Sequence, residues 1–171
     1  MALFSVPKTG LALLACLLCV ACGEEDRAGG SDDVIEAQDG KTDAAWLRAV
    51  DHVDPALWLA SREVGRDLPA NDLAVGRMRE ALLAARPHFL ESDRMLANRT
   101  AQIGKMLMAD GSLEDYAGLL KALANVAAAA GQKQTYGELC QHYYNLRHKG
   151  AARDDALRLL SARYETQKQF R

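Results

Sequence analysis

The stretch ELCQHYYNLRHKG, residues 138 to 150, holds the densest group of side chains able to ligate, titrate or attack. Cys140, Tyr144 and His148 recur at i, i+4 and i+8, so on a helix they share one face, and Glu138 with His142 makes a second i, i+4 pair. Thiolate, imidazole and carboxylate are all transition-metal ligands. One reading of the segment is therefore a metal- or cofactor-handling site built from Cys140, His142 or His148. Against it, a single cysteine and two histidines on different faces supply neither a CxxC pair nor an HExxH arrangement. A Cys140 nucleophile would need a base within hydrogen-bond reach and a third group to orient that base. His142 lies two residues away and points off the other side of the helix. The expectation is that Cys140 is a small buried hydrophobe. Elsewhere the chain has no glycine-rich phosphate loop, haem-attachment CxxCH or serine nucleophile elbow. No catalytic residue is assigned, no cofactor is expected, and the chain reads as a non-enzyme.

The same segment offers a second use, as a surface. Tyr136, Gln141, Tyr143, Tyr144, Asn145 and Arg147 outnumber what one core-facing stripe absorbs, because consecutive Tyr143 and Tyr144 point about 100° apart on a helix. Tyrosine and arginine are enriched at binding hot spots. These positions are the candidate partner-binding residues. NRTAQ at 98 to 102 together with YGELCQHYYNLRHKG at 136 to 150 resembles a small lipoprotein encoded in bacterial methanol-oxidation gene clusters. The resemblance implies an accessory of the periplasmic quinoprotein dehydrogenase system and carries over no residue role. The expected partner is a periplasmic protein of unknown identity.

Positioning such residues falls to helices. Ala and Leu dominate from residue 43 onward, β-branched residues are sparse, and the interruptions are capping signals rather than hairpin dipeptides. Thr42 precedes DAAWLRAV, Asp54-Pro55 opens PALWLASREV before Gly65, and Asn71 precedes DLAVGRMREALLAAR, which Pro87 ends. Ser92 opens a helix closed by Gly111. Ser112 with Asp115, and Thr135 with Glu138, make capping-box patterns ahead of helices stopped by Gly131 and Gly150. A last helix runs from about Arg153 to Gln167. The fold class is all-α: a compact helical bundle or a short stack of helical hairpins, with about seven helices. The expected faces are Leu96, Ile103 and Leu107; Leu113, Tyr116, Leu120 and Leu123; and Leu139, Tyr143 and Leu146. Trp46 and Trp58 should staple the first helices to the bundle, and Met95 and Met106 should fill core gaps. Asn98 and Thr100, within the sequon-like Asn98-Arg99-Thr100, should face solvent or bond locally. The glycine-terminated segments do not repeat at a fixed period, which argues against a true repeat array.

The N-terminus supplies an address. Lys8 precedes LALLACLLCVA, eleven apolar residues from 11 to 21, where a spanning helix takes about 20. That length suits a signal peptide. Val20-Ala21-Cys22-Gly23 resembles the lipobox of bacterial lipoproteins, which implies acylation of the Cys22 thiol and loss of residues 1 to 21. Cys16, with Leu13 three residues upstream, is the alternative, but cleavage there would strand LLCVA on the mature chain. Gly23 stands where an Asp would mark inner-membrane retention, so the resemblance implies an outer-membrane lipoprotein facing the periplasm. Multiple acyl chains anchor a chain where one is marginal. Residues 22 to 42 follow, with seven acidic side chains against Arg27 and Lys41. Such a composition cannot bury enough surface to offset chain entropy and reads as a flexible acidic tether. The helical domain, 43 to 171, then holds 16 acidic and 18 basic residues. This near-neutral balance of about +2, in an envelope location, argues against a nucleic-acid partner.

Overall fold

The computed structural model describes residues 45–169, so the expected signal peptide, Cys22, the expected acidic tether and the expected Thr42 cap lie outside the described residues. Among the described residues there are six α-helices: α1 (Pro55–Val64), α2 (Leu73–Ala85), α3 (Asp93–Ala109), α4 (Tyr116–Ala129), α5 (Tyr136–His148) and α6 (Arg153–Gln169). A single 3-10 turn, Arg86–His88, follows α2 where Pro87 ends regular helix. None of the described helices is long and apolar enough to cross a membrane.

The local signals work mostly as their chemistry requires. Asp54 caps α1, its Oδ1 accepting from Ala56 N at 2.9 Å, with Pro55 in the first turn. Gly65 closes that helix at φ 71°, a left-handed conformation in which Arg66 N reaches back to Ser61 O. At α2 the capping oxygen comes from Asp72 rather than Asn71. At α4 it comes from Asp115, which accepts from Gly118 N at 2.8 Å. The expected Ser112 start is thus three residues early. Leu113 consequently precedes the helix and is 85% exposed instead of sharing the face of Leu120 and Leu123.

The helices stack as three hairpins in two layers. α1 with α2, α3 with α4, and α5 with α6 form the pairs; α1, α3 and α5 pack side by side in one layer, and α2, α4 and α6 in the other. Of the two architectures expected, the hairpin stack is the one adopted. Between the layers lie Trp58 and Leu59 of α1, Val75 and Met78 of α2, Leu96, Ile103 and Leu107 of α3, Leu119, Leu120 and Leu123 of α4, Leu139 and Tyr143 of α5, and Leu160 and Tyr164 of α6, all buried. Alanines at 81 and 85 in α2 and at 124 and 127 in α4 are also buried, which lets these neighbouring helices approach closely.

The seventh expected helix, over 43 to 50, is absent among the described residues: 45–46 bend, 47–48 are irregular and 49–50 turn. The physical reason is a competing partner. Leu47 N donates to Asn98 Oδ1 at 2.9 Å and Asn98 Nδ2 donates to Leu47 O at 2.9 Å, so both backbone groups a helix would pair internally are taken by α3. Asp51 accepts from Arg48 N at 2.7 Å and tightens the turn. Asn98 is therefore buried and bonds across the fold rather than facing solvent; Thr100, also buried, does bond locally, to Leu96 O. Trp58 is in the core as expected, whereas Trp46 is 44% exposed, because Leu47 rather than Trp46 plugs the segment into the stack. Met95 and Met108 are exposed as well; Met78 is the buried methionine.

Two later helices start on carboxylates from earlier in the chain. Thr135 makes no side-chain cap. Instead Glu91, in the α2–α3 connection, accepts from Tyr136 N at 2.9 Å and Gly137 N at 3.0 Å, its two oxygens satisfying donors that the first turn leaves open. Glu63 of α1 likewise accepts from Tyr116 N at 2.5 Å, and its burial raises its pKa above the usual carboxylate value. A short bridge, His88 O to Gln134 N at 2.8 Å and Gln134 O to Leu90 N at 3.1 Å, holds the two interhelix connections together beside Glu91.

Candidate functional site

The α1–α3–α5 layer carries a concavity. A cavity of about 780 Å³ opens between the C-terminal end of α1 (Ser61, Arg62, Gly65, Arg66), the 45–46 segment and the later half of α3 (Gln102, Lys105, Met106, Met108). Tyr116 closes one end, laid against Gly104, where a methyl group would overlap the phenol ring. Glycine at 104 is thus what admits the aromatic wall. A smaller cleft continues from Gln102 and Met106 toward α5, bounded by Arg99, Gln141 and Tyr144. The two share Gln102 and Met106, so they form one groove along the layer.

The α5 residues expected to bind a partner split by burial. Tyr136 and Tyr143 are fully buried and belong to no surface. Tyr136 packs edge-on against Phe89, with ring centroids 4.8 Å apart, and its hydroxyl lies 2.8 Å from Thr100 Oγ1. Tyr143 donates to Glu114 at 2.6 Å. The consecutive tyrosines do diverge as helix geometry demands: Tyr144 is half-buried at the groove's end, and Gln141 and Asn145, joined by a 2.9 Å hydrogen bond, are exposed. Arg147 turns inward. Its Nη1 stands 3.5 Å from Glu114, its guanidinium lies over the Tyr143 ring at 5.9 Å, and its Nε is buried without a hydrogen-bond partner. Glu114 is the centre of this cluster, its side chain 2% exposed, with Arg153 Nε donating to its other oxygen at 3.2 Å. The cluster ties the α3–α4 connection to α5 and to the start of α6.

The three candidate metal ligands do not converge. Cys140 is buried and free. His142 Nδ1 is 3.3 Å from the Tyr164 hydroxyl, and His148 Nδ1 is 2.7 Å from Asp110 Oδ2 with its ring stacked on Tyr144. The shared helical face of Cys140, Tyr144 and His148 holds in angle, yet neighbouring helices cover Cys140 and leave His148 in solvent. Hydrogen bonding from His148 lowers the Asp110 pKa. Among the described residues no group of three or more His, Cys, Asp or Glu side chains is placed to hold a metal ion.

Burial pushes the Cys140 thiol up to about 12 and sets the Tyr136 phenol well above its ordinary value. It also raises Tyr143, which the hydrogen bond to Glu114 raises further. Each group holds its proton more tightly folded than unfolded. Their stabilisation is complete below the unfolded thiol value of about 8.5 and is lost as pH climbs through the folded values. Thermal melts should therefore be flat up to about pH 8 and fall steadily from about pH 9 to 12. Cys140→Ala should remove the earliest part of the fall. A melting temperature constant to pH 11 would contradict the burial of these three groups.

One family model matches the chain, MoxZ, over residues 56–165. The chain belongs to the MoxZ family. The MoxZ match runs from α1 into α6 and so takes in the groove's helical walls, the Glu91 cap and the Glu114 cluster. MoxZ membership agrees with the resemblance to the accessory protein of methanol-oxidation gene clusters. No curated protein and no solved structure matches the chain. Within the MoxZ region, the groove went unread in the sequence because its walls come from segments some forty residues apart, each amphipathic in the ordinary way. Its one local signal was Gly104 in mid-helix, a residue that costs about 1 kcal/mol there and so marks a close approach.

Proposed function

We propose that this MoxZ-family chain is a lipid-anchored accessory protein of a bacterial methanol-oxidation system, held at the periplasmic side of the outer membrane through Cys22. It acts by holding a protein partner on its α1–α3–α5 layer rather than by catalysis. The observation that carries the reading is the groove itself. A two-layer stack needs only its inner faces for stability, and here the outer face of one layer keeps Trp46 and Met108 exposed beside a large concavity. The acidic and thiol groups of the interior, by contrast, are engaged in structural roles. Glu63 and Glu91 start helices, Glu114 binds two arginines and a tyrosine, and Cys140 is sealed with its thiol protonated. None has the exposed, charge-activated setting of a nucleophile or general base.

The test is made in a methanol-oxidising bacterium that carries the gene. Deletion should lower methanol-dependent growth and periplasmic methanol dehydrogenase activity, and the wild-type gene should restore both. Cys22→Ala should leave an uncleaved or mislocalised precursor that restores neither, while Cys16→Ala behaves as wild type. Normal processing and membrane fractionation of Cys22→Ala would refute the anchor; unaltered dehydrogenase activity in the deletion strain would refute the pathway.

A further inference from the structure

The groove's charges are one-sided. Arg62, Arg66 and Lys105 line the cavity, Arg99 stands at the cleft toward α5, and among the described residues Asp67 is the one acidic side chain on the lining. Arg48, Arg79, Arg86, Arg147, Arg153 and Arg158 each have a carboxylate partner. Among the described residues Arg66, Arg99 and Lys105 make no such pair: Arg66 Nη1 donates to the Asp67 carbonyl at 3.4 Å, and Arg99 Nη1 to Gln102 Oε1 at 2.8 Å. All three are exposed, and they flank an apolar strip of Met106, Met108 and Trp46.

We infer that this groove seats an acidic, amphipathic segment of a protein partner, its carboxylates meeting Arg66, Lys105 and Arg99 and its apolar side chains resting on the methionine–tryptophan strip. This deepens the partner-binding reading and rests on it. Unpaired cations at the edge of a groove give charge-assisted bonds to incoming carboxylates, and methionine surfaces adapt to varied apolar side chains. A nucleic acid fits less well. A phosphate backbone needs a continuous cationic stripe, whereas here the lining also carries the acidic Asp67 and an apolar strip, and the domain is near neutral.

The experiment uses the full lipidated chain in detergent and a fluorescein-labelled peptide of about twelve residues that alternates Glu with Leu, long enough to span about 40 Å extended. A peptide with Lys in place of each Glu and an oligothymidylate of the same charge are the comparisons. Saturable binding of the acidic peptide alone is expected. Arg66→Glu and Lys105→Glu should each weaken it about threefold to tenfold, with melting temperature retained because both positions are exposed. Arg158→Glu, on α6, should leave it unchanged. Equal binding of the Lys peptide, tighter binding of the oligothymidylate, or indifference to both groove reversals would overturn the inference, as would occupation of the groove by a second copy of the chain, seen as self-association abolished by Lys105→Glu. Absence of peptide binding alongside a clear methanol phenotype would sink this occupant and leave the accessory role standing. Groove binding without that phenotype would support the occupant and sink the pathway.

Discussion

Glu114→Ala is expected to lower the melting temperature by about 10 °C, a loss of about 3 kcal/mol. The carboxylate is all but inaccessible and accepts from Tyr143 Oη and Arg153 Nε while facing Arg147 Nη1. Removing it leaves a guanidinium 13% exposed, whose Nε already lacks a partner, and a buried phenol with no acceptor. Breaking a buried ion pair from one side costs about 3–5 kcal/mol, because the remaining charge stays desolvated. The lower end applies here, since Arg153 is 40% exposed and recovers water once released. Tyr143→Phe should cost only about 1 kcal/mol, one net hydrogen bond. Arg158→Ala, which breaks an exposed pair on α6, should lie within about 0.5 kcal/mol of wild type. A Glu114→Ala melt within two degrees of wild type would mean that water reaches the cluster and that α5 and α6 are held by apolar contacts alone.

Asn98→Ala should cost about 1–3 kcal/mol and loosen the 45–50 segment. The side-chain amide accepts from Leu47 N and donates to Leu47 O through two buried bonds, and Arg94 Nη1 also donates to Leu47 O at 3.0 Å. Truncation therefore strands the Leu47 N–H, at about 1–3 kcal/mol, while Leu47 O keeps Arg94; part of the cost is recovered if the segment lifts into water. That escape gives the variant a second signature. Leu47 would leave its buried site, Trp46 would change environment, and the groove would lose one wall. Urea denaturation should show the loss of stability. Tryptophan emission should shift before the main transition, and limited proteolysis should cut near Arg48 in the variant only. Asn98→Asp keeps the acceptor for Leu47 N but loses the donor to Leu47 O and buries a charge, so it should fare no better. An Asn98→Ala protein with wild-type stability and resistance to cleavage at Arg48 would show that the segment is held by Leu47 packing and not by the amide.

Most of the helices were legible in the sequence because their signals are local. Asp54-Pro55, Gly65, Pro87, Gly111, Gly131 and Gly150 act through the conformation of one or two residues, and the glycines at 65, 111, 131 and 150 all take positive φ. The apolar spacings of Leu96, Ile103 and Leu107, and of Leu120 and Leu123, identified faces that are in fact buried. Burial of Cys140 was legible too, since a lone thiol with no second cysteine and no base at helical reach behaves as a small hydrophobe.

Errors cluster where a polar side chain acts across the fold. Residues 43 to 50 have helical composition, but Asn98, half a hundred residues on, takes the backbone bonds of Leu47. Tyr136, Tyr143 and Arg147 have the residue types of a binding surface. Thr100 and Glu114 draw them inward, because a buried hydroxyl or carboxylate with a matched partner makes an aromatic or basic side chain a core residue. Side-chain type and helical angle determined which residues lie on which strip of each helix, and the sequence alone carries that. Which strip meets another helix, and which is left facing water as a groove, depends on how α1, α3 and α5 are set side by side. That setting is made by packing of the apolar core together with the bonds of Glu63, Glu91, Asn98 and Glu114, whose partners lie 29 to 53 residues away. Bonds of that span leave no periodicity in the chain, so only the folded arrangement decides them.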